Sequence, residues 1–164
     1  MQDFLGILVI ALINLNKSDN SLIQRRLNEV CLNHKLANYL EFGVKHILKL
    51  KWVDVDLEYD KNYKDKKFIQ TKHGKRAIRP DILIHKREDN SKNLFALECK
   101  KGYLNKNDRE KLSILLQYPY DYSLTCGISY LPDKDYMLVK IFEGDRILTY
   151  HFDKKLQQFK LKNC

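Results

Sequence analysis

Glycine, proline and cysteine are all scarce in this chain of 164 residues. Six glycines and three prolines are too few for a collagen-like, elastic or low-complexity protein. A hydrophobic content of 44% is too high for a disordered chain. The length suits one hydrophobic core of ordinary size. We therefore expect a single soluble domain over residues 1–164.

The few cysteines exclude a disulfide framework, because they form no Cys-x-x-Cys pair and lie far apart. They stand at positions 31, 99, 126 and 164. We expect reduced thiols and a cytoplasmic location. Cys31 and His34 lack a second pair of ligands, so they do not predict a zinc site. The GxxxxGK[ST] and HExxH motifs are also absent.

No hydrophobic run is long enough to cross a membrane. The longest covers residues 4–15, short of the ~18 residues that a bilayer requires. We expect a helix over residues 3–15 that packs on the domain, and no stable membrane insertion. Because this run is apolar on all sides, a helix that docks on a membrane or a partner is the alternative.

Positive charge exceeds negative charge, with 30 Lys and Arg against 21 Asp and Glu and a net charge of +9. The excess favours a polyanionic partner, nucleic acid before an anionic membrane. It is concentrated in residues 61–87, where basic residues stand at 61, 64, 66, 67, 72, 75, 76, 79, 86 and 87, against Asp65 and Asp81. We expect a phosphate-binding arm here, and a solvated loop without a partner is the alternative.

The residues expected to contact nucleic acid lie in or near this basic segment. They are Lys72, Lys75, Arg76, Arg79 and Lys101, with Tyr63, Phe68 and His73 as side chains that could stack on bases or sugars.

Hydrophobic periodicity predicts an α/β protein with a central mixed sheet flanked by helices. A helix is expected over residues 22–43, with Ser21 as N-cap and Gly43 as C-terminal stop. Residues 60–79 follow neither the helical nor the strand period. The remaining expected elements are strands at 52–59, 82–84, 94–97 and 124–130, a helix at 106–117, and a C-terminal β-hairpin at 136–152.

Two carboxylates and a lysine are expected to meet at one end of the sheet. If the hairpin is symmetric about the turn at residues 89–90, paired residue numbers sum to 179, so Asp81 faces Glu98. Lys100 lies two residues beyond Glu98 and therefore on the same face. Neighbouring carboxylates repel unless a cation intervenes, which favours Mg²⁺ or Mn²⁺. A solvated sheet edge with a surface ion pair is the alternative.

Pro80-Asp81, sixteen further residues and then Glu98-Cys99-Lys100 resemble the signature of the PD-(D/E)XK nuclease superfamily. The resemblance implies a restriction-endonuclease-like core of order αβββαβ over about residues 21–130. It implies that Asp81, Glu98 and the backbone carbonyl of Cys99 bind Mg²⁺, and that Lys100 positions or activates the water. The implied activity is Mg²⁺-dependent endonucleolytic hydrolysis of DNA, with RNA as the less favoured substrate.

The resemblance also implies an additional acid from the first core helix, for which Glu29 is the candidate. A salt bridge between Glu29 and Arg25 or Arg26 is the alternative. We interpret Asp108, Lys111 and Gln117 as solvated helix residues. The alternative, which the resemblance implies, is that they contact the substrate or support the motif.

Two further expectations concern the whole protein. Cleavage of both strands would favour a homodimer. A non-catalytic nucleic-acid-binding or interaction module on the same fold is the alternative function.

Overall fold

The structure is a computed structural model that describes residues 2–62, 65–71 and 74–162. The helices are α1 (Gln2–Ser18), α2 (Asn20–Gln24), α3 (Glu29–Phe42) and α4 (Lys106–Leu115). The strands are β1 (Asp54–Leu57), β2 (Lys61–Asn62), β3 (Asp65–Lys66), β4 (Phe68–Thr71), β5 (Gly74–Ala77), β6 (Ile82–His85), β7 (Phe95–Lys100), β8 (Leu124–Ser129), β9 (Tyr136–Glu143), β10 (Arg146–Asp153) and β11 (Gln158–Leu161).

Seven strands form one mixed sheet in the order β1-β6-β7-β8-β9-β10-β11. Only β7 and β8 run parallel, because α4 connects them as a crossover. Ile82 and Leu97 belong to the core cluster that contains α1 and α3, whereas Leu83 and Ala96 contact a second cluster that contains Leu115 of α4. Helices therefore cover both faces, which confirms the expected α/β architecture with a mixed sheet.

The apolar N-terminal segment forms α1 and packs on the domain, as expected. Its buried side chains are Phe4, Ile7, Leu8, Ala11, Leu12 and Leu15. A Cβ atom at Gly43 would lie 2.9 Å from Cβ of Ile7, so glycine permits the close approach of the two helical segments. The α-helix ends at Phe42 with Gly43 as its C-cap, as expected, but the chain does not leave the helical path, because a turn of π-helix follows over Gly43–Ile47. No helix in the described ranges is long and apolar enough to cross a membrane.

The expected continuous helix over residues 22–43 is wrong, because the chain breaks between α2 and α3. Arg26 adopts a φ of 53°, which interrupts the helical backbone. The side chain of Asn28 then accepts a hydrogen bond of 3.2 Å from the N–H of Val30 and caps α3. As a result, Leu27 and Val30 are exposed instead of contributing to a continuous apolar stripe.

The register between β6 and β7 is the predicted one. The paired residues are Ile82 with Leu97, Leu83 with Ala96, and Ile84 with Phe95, so each pair of numbers sums to 179. Burial fixes this register, since a slip by one residue would move every apolar side chain to the opposite face.

Residues 60–79 contain two short hairpins, β2–β3 and β4–β5, which periodicity did not predict. Their strands have only two or four residues, too few to display an alternating pattern. The hydroxyl of Tyr120 fixes β4: it accepts from the N–H of Phe68 at 2.7 Å and donates to the Phe68 carbonyl at 2.6 Å. Ile69 and Ile78 are buried beneath this hairpin.

The predicted C-terminal hairpin is confirmed as β9 and β10. It continues the main sheet beyond β8, and β11 adds a further antiparallel strand that was not predicted.

Candidate active site

Asp81, Glu98 and Lys100 meet at one end of the sheet. The register of β6 and β7, carried one residue beyond Ile82, sets Asp81 opposite Glu98. The N–H of Cys99 donates a hydrogen bond of 2.7 Å to Oδ2 of Asp81 and fixes this carboxylate at the start of β6. The Asp81 charge raises the pKa of Glu98 and Lys100, so the three groups interact.

Glu98 is 2% exposed and contacts two ammonium groups. Nζ of Lys111 lies 2.6 Å from its Oε2, and Nζ of Lys100 lies 3.2 Å from its Oε1. Burial and the nearby charge of Asp81 nevertheless raise the pKa of Glu98 above its ordinary value. The two lysines therefore do not compensate fully for the loss of water around this carboxylate.

Burial also raises the pKa of Asp81, despite the hydrogen bond from Cys99 and the charges of Lys100 and Lys111. The charge of Glu29 acts in the same direction as burial. At both neighbouring carboxyls, burial therefore outweighs the charges of Lys100 and Lys111.

Burial alone would lower the pKa of Lys100, but the charges of Glu98, Asp81 and Asp108 raise it. Nζ of Lys100 also lies 3.9 Å from Oε2 of Glu29 and 4.0 Å from Oδ1 of Asp108. Lys100 is therefore protonated at neutral pH and is surrounded by carboxylates.

Glu29, at the start of α3, belongs to this cluster. Its Oε1 accepts a hydrogen bond of 2.8 Å from the N–H of Lys101. The alternative of a salt bridge from Glu29 to Arg25 or Arg26 is wrong within the described residues, because Arg26 pairs with Asp133 at 2.5 Å. The break before α3 aims the first turn of this helix at the end of β7.

Asp108 and Lys111 are not the solvated helix residues that we expected. Asp108 is buried and forms a capping box with Asn105. The side chain of Asp108 accepts from the N–H of Asn105, and the side chain of Asn105 accepts from the N–H of Asp108, both at 3.0 Å. Asp108, Leu112 and Leu115 follow helical spacing, and Lys111 lies beside this buried stripe. That spacing was the available sequence signal. Gln117 is exposed, as expected.

Cys99 presents its backbone to the site and its side chain to the opposite core. Its thiol is buried among the cluster of α1 and α3, and burial raises its pKa well above the ordinary value. In a strand, the N–H and C=O of one residue lie on the same side. Since the Cys99 N–H contacts Asp81, the Cys99 carbonyl also faces the Asp81 edge.

Three of the predicted nucleic-acid contacts lie on or just after β5, and two of them, Arg76 and Arg79, line a cleft together with Asp108 and Lys111. Lys75, Arg76 and Arg79 are exposed, and Arg79 forms an ion pair of 3.3 Å with Glu58. A cleft of about 290 Å³ is lined by Arg76, Ala77, Ile78, Arg79, Asn105, Asn107, Asp108 and Lys111. Basic side chains therefore border the approach to Glu98 from the β5 side.

The other predicted contacts are placed differently. The N–H of Lys101 binds Glu29, and its ammonium lies 3.4 Å from the carbonyl of Arg26. Lys101 therefore supports the carboxylate cluster through its backbone. Lys72, Tyr63 and His73 lie outside the described residues.

Part of the basic segment does not form a phosphate-binding surface. Lys67 is buried, its ammonium donates to the carbonyl of Lys61, and it lies 4.8 Å from the ring centre of Tyr59. Burial lowers the pKa of Lys67 to about 8. Arg87 pairs with Asp56 at 2.5 Å. These two cations have structural partners, contrary to the expectation of one continuous arm.

Within the described ranges, no group of three or more His, Cys, Asp and Glu side chains is arranged to hold a metal ion. Comparisons of the chain with family models, curated proteins and solved structures find no match.

Proposed function

We propose that this protein is a divalent-metal-dependent nuclease that hydrolyses phosphodiester bonds of DNA, leaving 5′-phosphate and 3′-hydroxyl ends. The observation that carries the proposal is the convergence of Asp81, Glu98 and Lys100 on adjacent strands. Hydrolysis of a phosphodiester develops negative charge, which the protonated lysines beside the buried carboxylate pair would stabilise.

The order of elements supports the same proposal. With the small hairpins β2–β3 and β4–β5 left out, the elements α3, β1, β6, β7, α4 and β8 follow in the order αβββαβ, which supports the core that the resemblance implies. Within that order, β1, β6 and β7 are successive antiparallel neighbours, and β8 is parallel to β7. The remaining elements extend the sheet or form the small hairpins between β1 and β6.

The donor set fits a divalent cation. Burial raises the pKa of both Asp81 and Glu98 even with Lys100 and Lys111 nearby, and a divalent cation between them would favour their ionised forms. Carboxylate and carbonyl oxygens are the ligands that Mg²⁺ and Mn²⁺ prefer. The carbonyl of Cys99 faces the Asp81 edge and adds a third oxygen.

Asp81, Glu98 and the Cys99 carbonyl would hold Mg²⁺, for which Mn²⁺ can substitute. When bound, the ion supplies charge stabilisation at the phosphate and lowers the pKa of a bound water. The charges of Glu98, Asp81 and Asp108 raise the pKa of Lys100, so its ammonium would donate a hydrogen bond that positions the water. Lys111 fixes the orientation of Glu98.

A cleavage assay tests the proposal. Plasmid and single-stranded DNA are incubated with Mg²⁺, with Mn²⁺ and with EDTA. We expect cleavage that requires either metal, and a loss of at least about 100-fold in rate for Asp81→Asn and for Lys100→Ala. Glu110→Gln is the matched control, because this exposed carboxylate of α4 lies outside the cluster.

The outcomes separate clearly. A loss of cleavage rate in Glu110→Gln equal to that in Asp81→Asn would contradict the proposed site. Cleavage that persists in EDTA would contradict it as well. Unfolding curves of each variant show whether a loss of rate reflects a loss of fold. Titration calorimetry with Mn²⁺ gives an independent readout, since Asp81→Asn is expected to abolish the binding heat.

A second function is a non-catalytic nucleic-acid-binding module. One observation favours it: Lys111 and Lys100 already occupy both oxygens of Glu98. In that case the lysines neutralise the site permanently, and DNA binding would persist in EDTA while neither metal produces cut strands.

A further inference from the structure

A groove runs along α4 away from the carboxylates. Its first part is the 290 Å³ cleft at Arg76 and Lys111. Its second part is a larger cavity of about 510 Å³, lined by Asn62, Lys66, Phe68, Ile69, Gln70, Lys75, Ile114, Gln117, Tyr118, Pro119 and Tyr120. The two parts share no lining residue, but both lie along β5 and α4, where Lys75 precedes Arg76 and Ile114 lies about one helical turn after Lys111.

The charge of this groove has one dominant sign. Its basic lining residues are Lys66, Lys75, Arg76, Arg79 and Lys111. The acidic lining residue is Asp108, whose carboxylate is buried in the capping box of α4. The surface along α4 is therefore complementary to a polyanion.

Two aromatic side chains stand at the end of the groove remote from Glu98. Tyr118 is 88% exposed and Phe68 is 43% exposed, and both line the larger cavity. Aromatic faces presented beside lysines are typical of surfaces on which unpaired bases stack. A duplex does not offer the faces of its bases to these aromatic rings, because its bases are already stacked on one another.

Hydrogen bonds fix the backbone around both aromatic residues. The hydroxyl of Tyr120 binds the N–H and the carbonyl of Phe68. The side chain of Asn90 donates to the Pro119 carbonyl at 3.0 Å, immediately after Tyr118. The two rings therefore project from anchored segments, which lowers the entropy cost of binding a ligand.

We propose that this groove binds an unpaired strand of nucleic acid, with bases stacked on Phe68 and Tyr118 and phosphates along Lys75, Arg76 and Arg79. The inference rests on the proposed function only for the direction of the bound strand, which would lead along the groove toward Glu98. The eight residues from Asp108 to Leu115 span roughly 11 Å of α4, about three phosphates at the B-form spacing of one strand. The substrate class is accordingly DNA with a single-stranded end or flap.

Binding without cleavage tests this inference. Fluorescence anisotropy in EDTA is measured with labelled oligothymidylate of about 12 nucleotides, with a duplex of the same length and with oligouridylate. We expect tighter binding to the single strand than to the duplex. Tyr118→Ala and Phe68→Ala should each raise the Kd for the single strand about tenfold and the Kd for the duplex less than about twofold.

Phe42→Ala is the matched control, because this ring of α3 is 58% exposed and does not line the groove. Tyr118→Ala serves as the decisive variant if Phe68→Ala does not fold, since the side chain of Tyr118 is almost fully exposed. Equal losses for the single strand and the duplex, or no loss in Tyr118→Ala, would overturn the inference. Preference for the duplex would overturn it as well.

The assay separates this inference from the proposed function. Single-strand binding that depends on Tyr118 while no metal supports cleavage retains the groove and rejects the nuclease. Cleavage of single-stranded and flap DNA that requires Asp81 but is unchanged in Tyr118→Ala retains the nuclease and rejects the groove. Stronger binding of oligouridylate than of oligothymidylate would reassign the strand to RNA.

Discussion

Lys111 donates from its ammonium to Oε2 of Glu98 across 2.6 Å, which joins α4 to β7 on the buried side of the candidate site. Glu98 is 3% exposed at its side chain and Lys111 is 15% exposed, so water screens this pair weakly. The contact determines the orientation of the carboxylate and couples it to the helix that borders the groove.

Removal of this ammonium should leave the buried charge of Glu98 with Lys100 as its remaining partner, at 3.2 Å. We expect Lys111→Met to lower the free energy of unfolding by about 2 kcal/mol at neutral pH. In a double-mutant cycle with Glu98→Gln, measured by urea unfolding, the two substitutions should couple by more than about 1 kcal/mol. Additive effects would show that the pair contributes no specific interaction.

The raised pKa of Asp81 predicts a stability gain when its charge is removed. A carboxyl whose pKa is higher in the folded state than in the unfolded state destabilises the folded protein above that raised value. The penalty fades as the pH falls through the raised pKa and is absent below the ordinary value near 3.8.

We therefore expect Asp81→Asn to raise the free energy of unfolding at neutral pH while it abolishes metal binding. Asparagine keeps an acceptor for the N–H of Cys99, so the local backbone is preserved. Urea unfolding across the acidic range should show the gain shrinking toward pH 4 and below. A variant less stable than the native chain at neutral pH contradicts this assignment.

The edge of the sheet contains an ion pair with the opposite pH dependence. Burial alone would raise the pKa of Asp56, but hydrogen bonds from His85 at 3.1 Å and Arg87 at 2.5 Å lower it well below its ordinary value. The resulting stabilisation is full above the ordinary carboxyl pKa near 3.8 and disappears as the pH falls toward the lowered value.

Asp56→Asn should accordingly lower the free energy of unfolding at neutral pH by about 1 kcal/mol, a modest figure because the Arg87 side chain is 55% exposed. The difference from the native chain should narrow in strongly acidic solution. Asp145→Asn, at an exposed turn, is the control and should change stability by less than about 0.5 kcal/mol.

Gly127 of β8 faces Leu104, in the segment that follows Glu98-Cys99-Lys100. A Cβ atom there would lie 2.0 Å from Cδ1 of Leu104 and 3.2 Å from Cδ1 of Leu112. We expect Gly127→Ala to cost about 1–3 kcal/mol, because Leu104 must move to avoid the clash. Thermal unfolding should show recovery when Leu104→Ala is added. A single variant as stable as the native chain contradicts this packing.

Much of the site could be predicted because it depends on local periodicity. Short apolar strands on either side of one turn fix a register, and the register alone sets Asp81 opposite Glu98. The concentration of basic residues near Asp81 could likewise be predicted, because it is visible in the sequence itself. Lys111 could not be assigned in this way, since a helix charge is buried or solvated according to the face that packs.

Local patterns in the chain were enough to predict the α/β class, the pairing of β6 with β7 and the placement of Asp81, Glu98 and Lys100 on one face, since alternation and burial act over a few residues. Tertiary structure alone decided the break at Arg26, the burial of Lys67 and the aromatic end of the groove. Those features depend on contacts between segments distant in the chain, such as Tyr120 with Phe68, which no local pattern encodes.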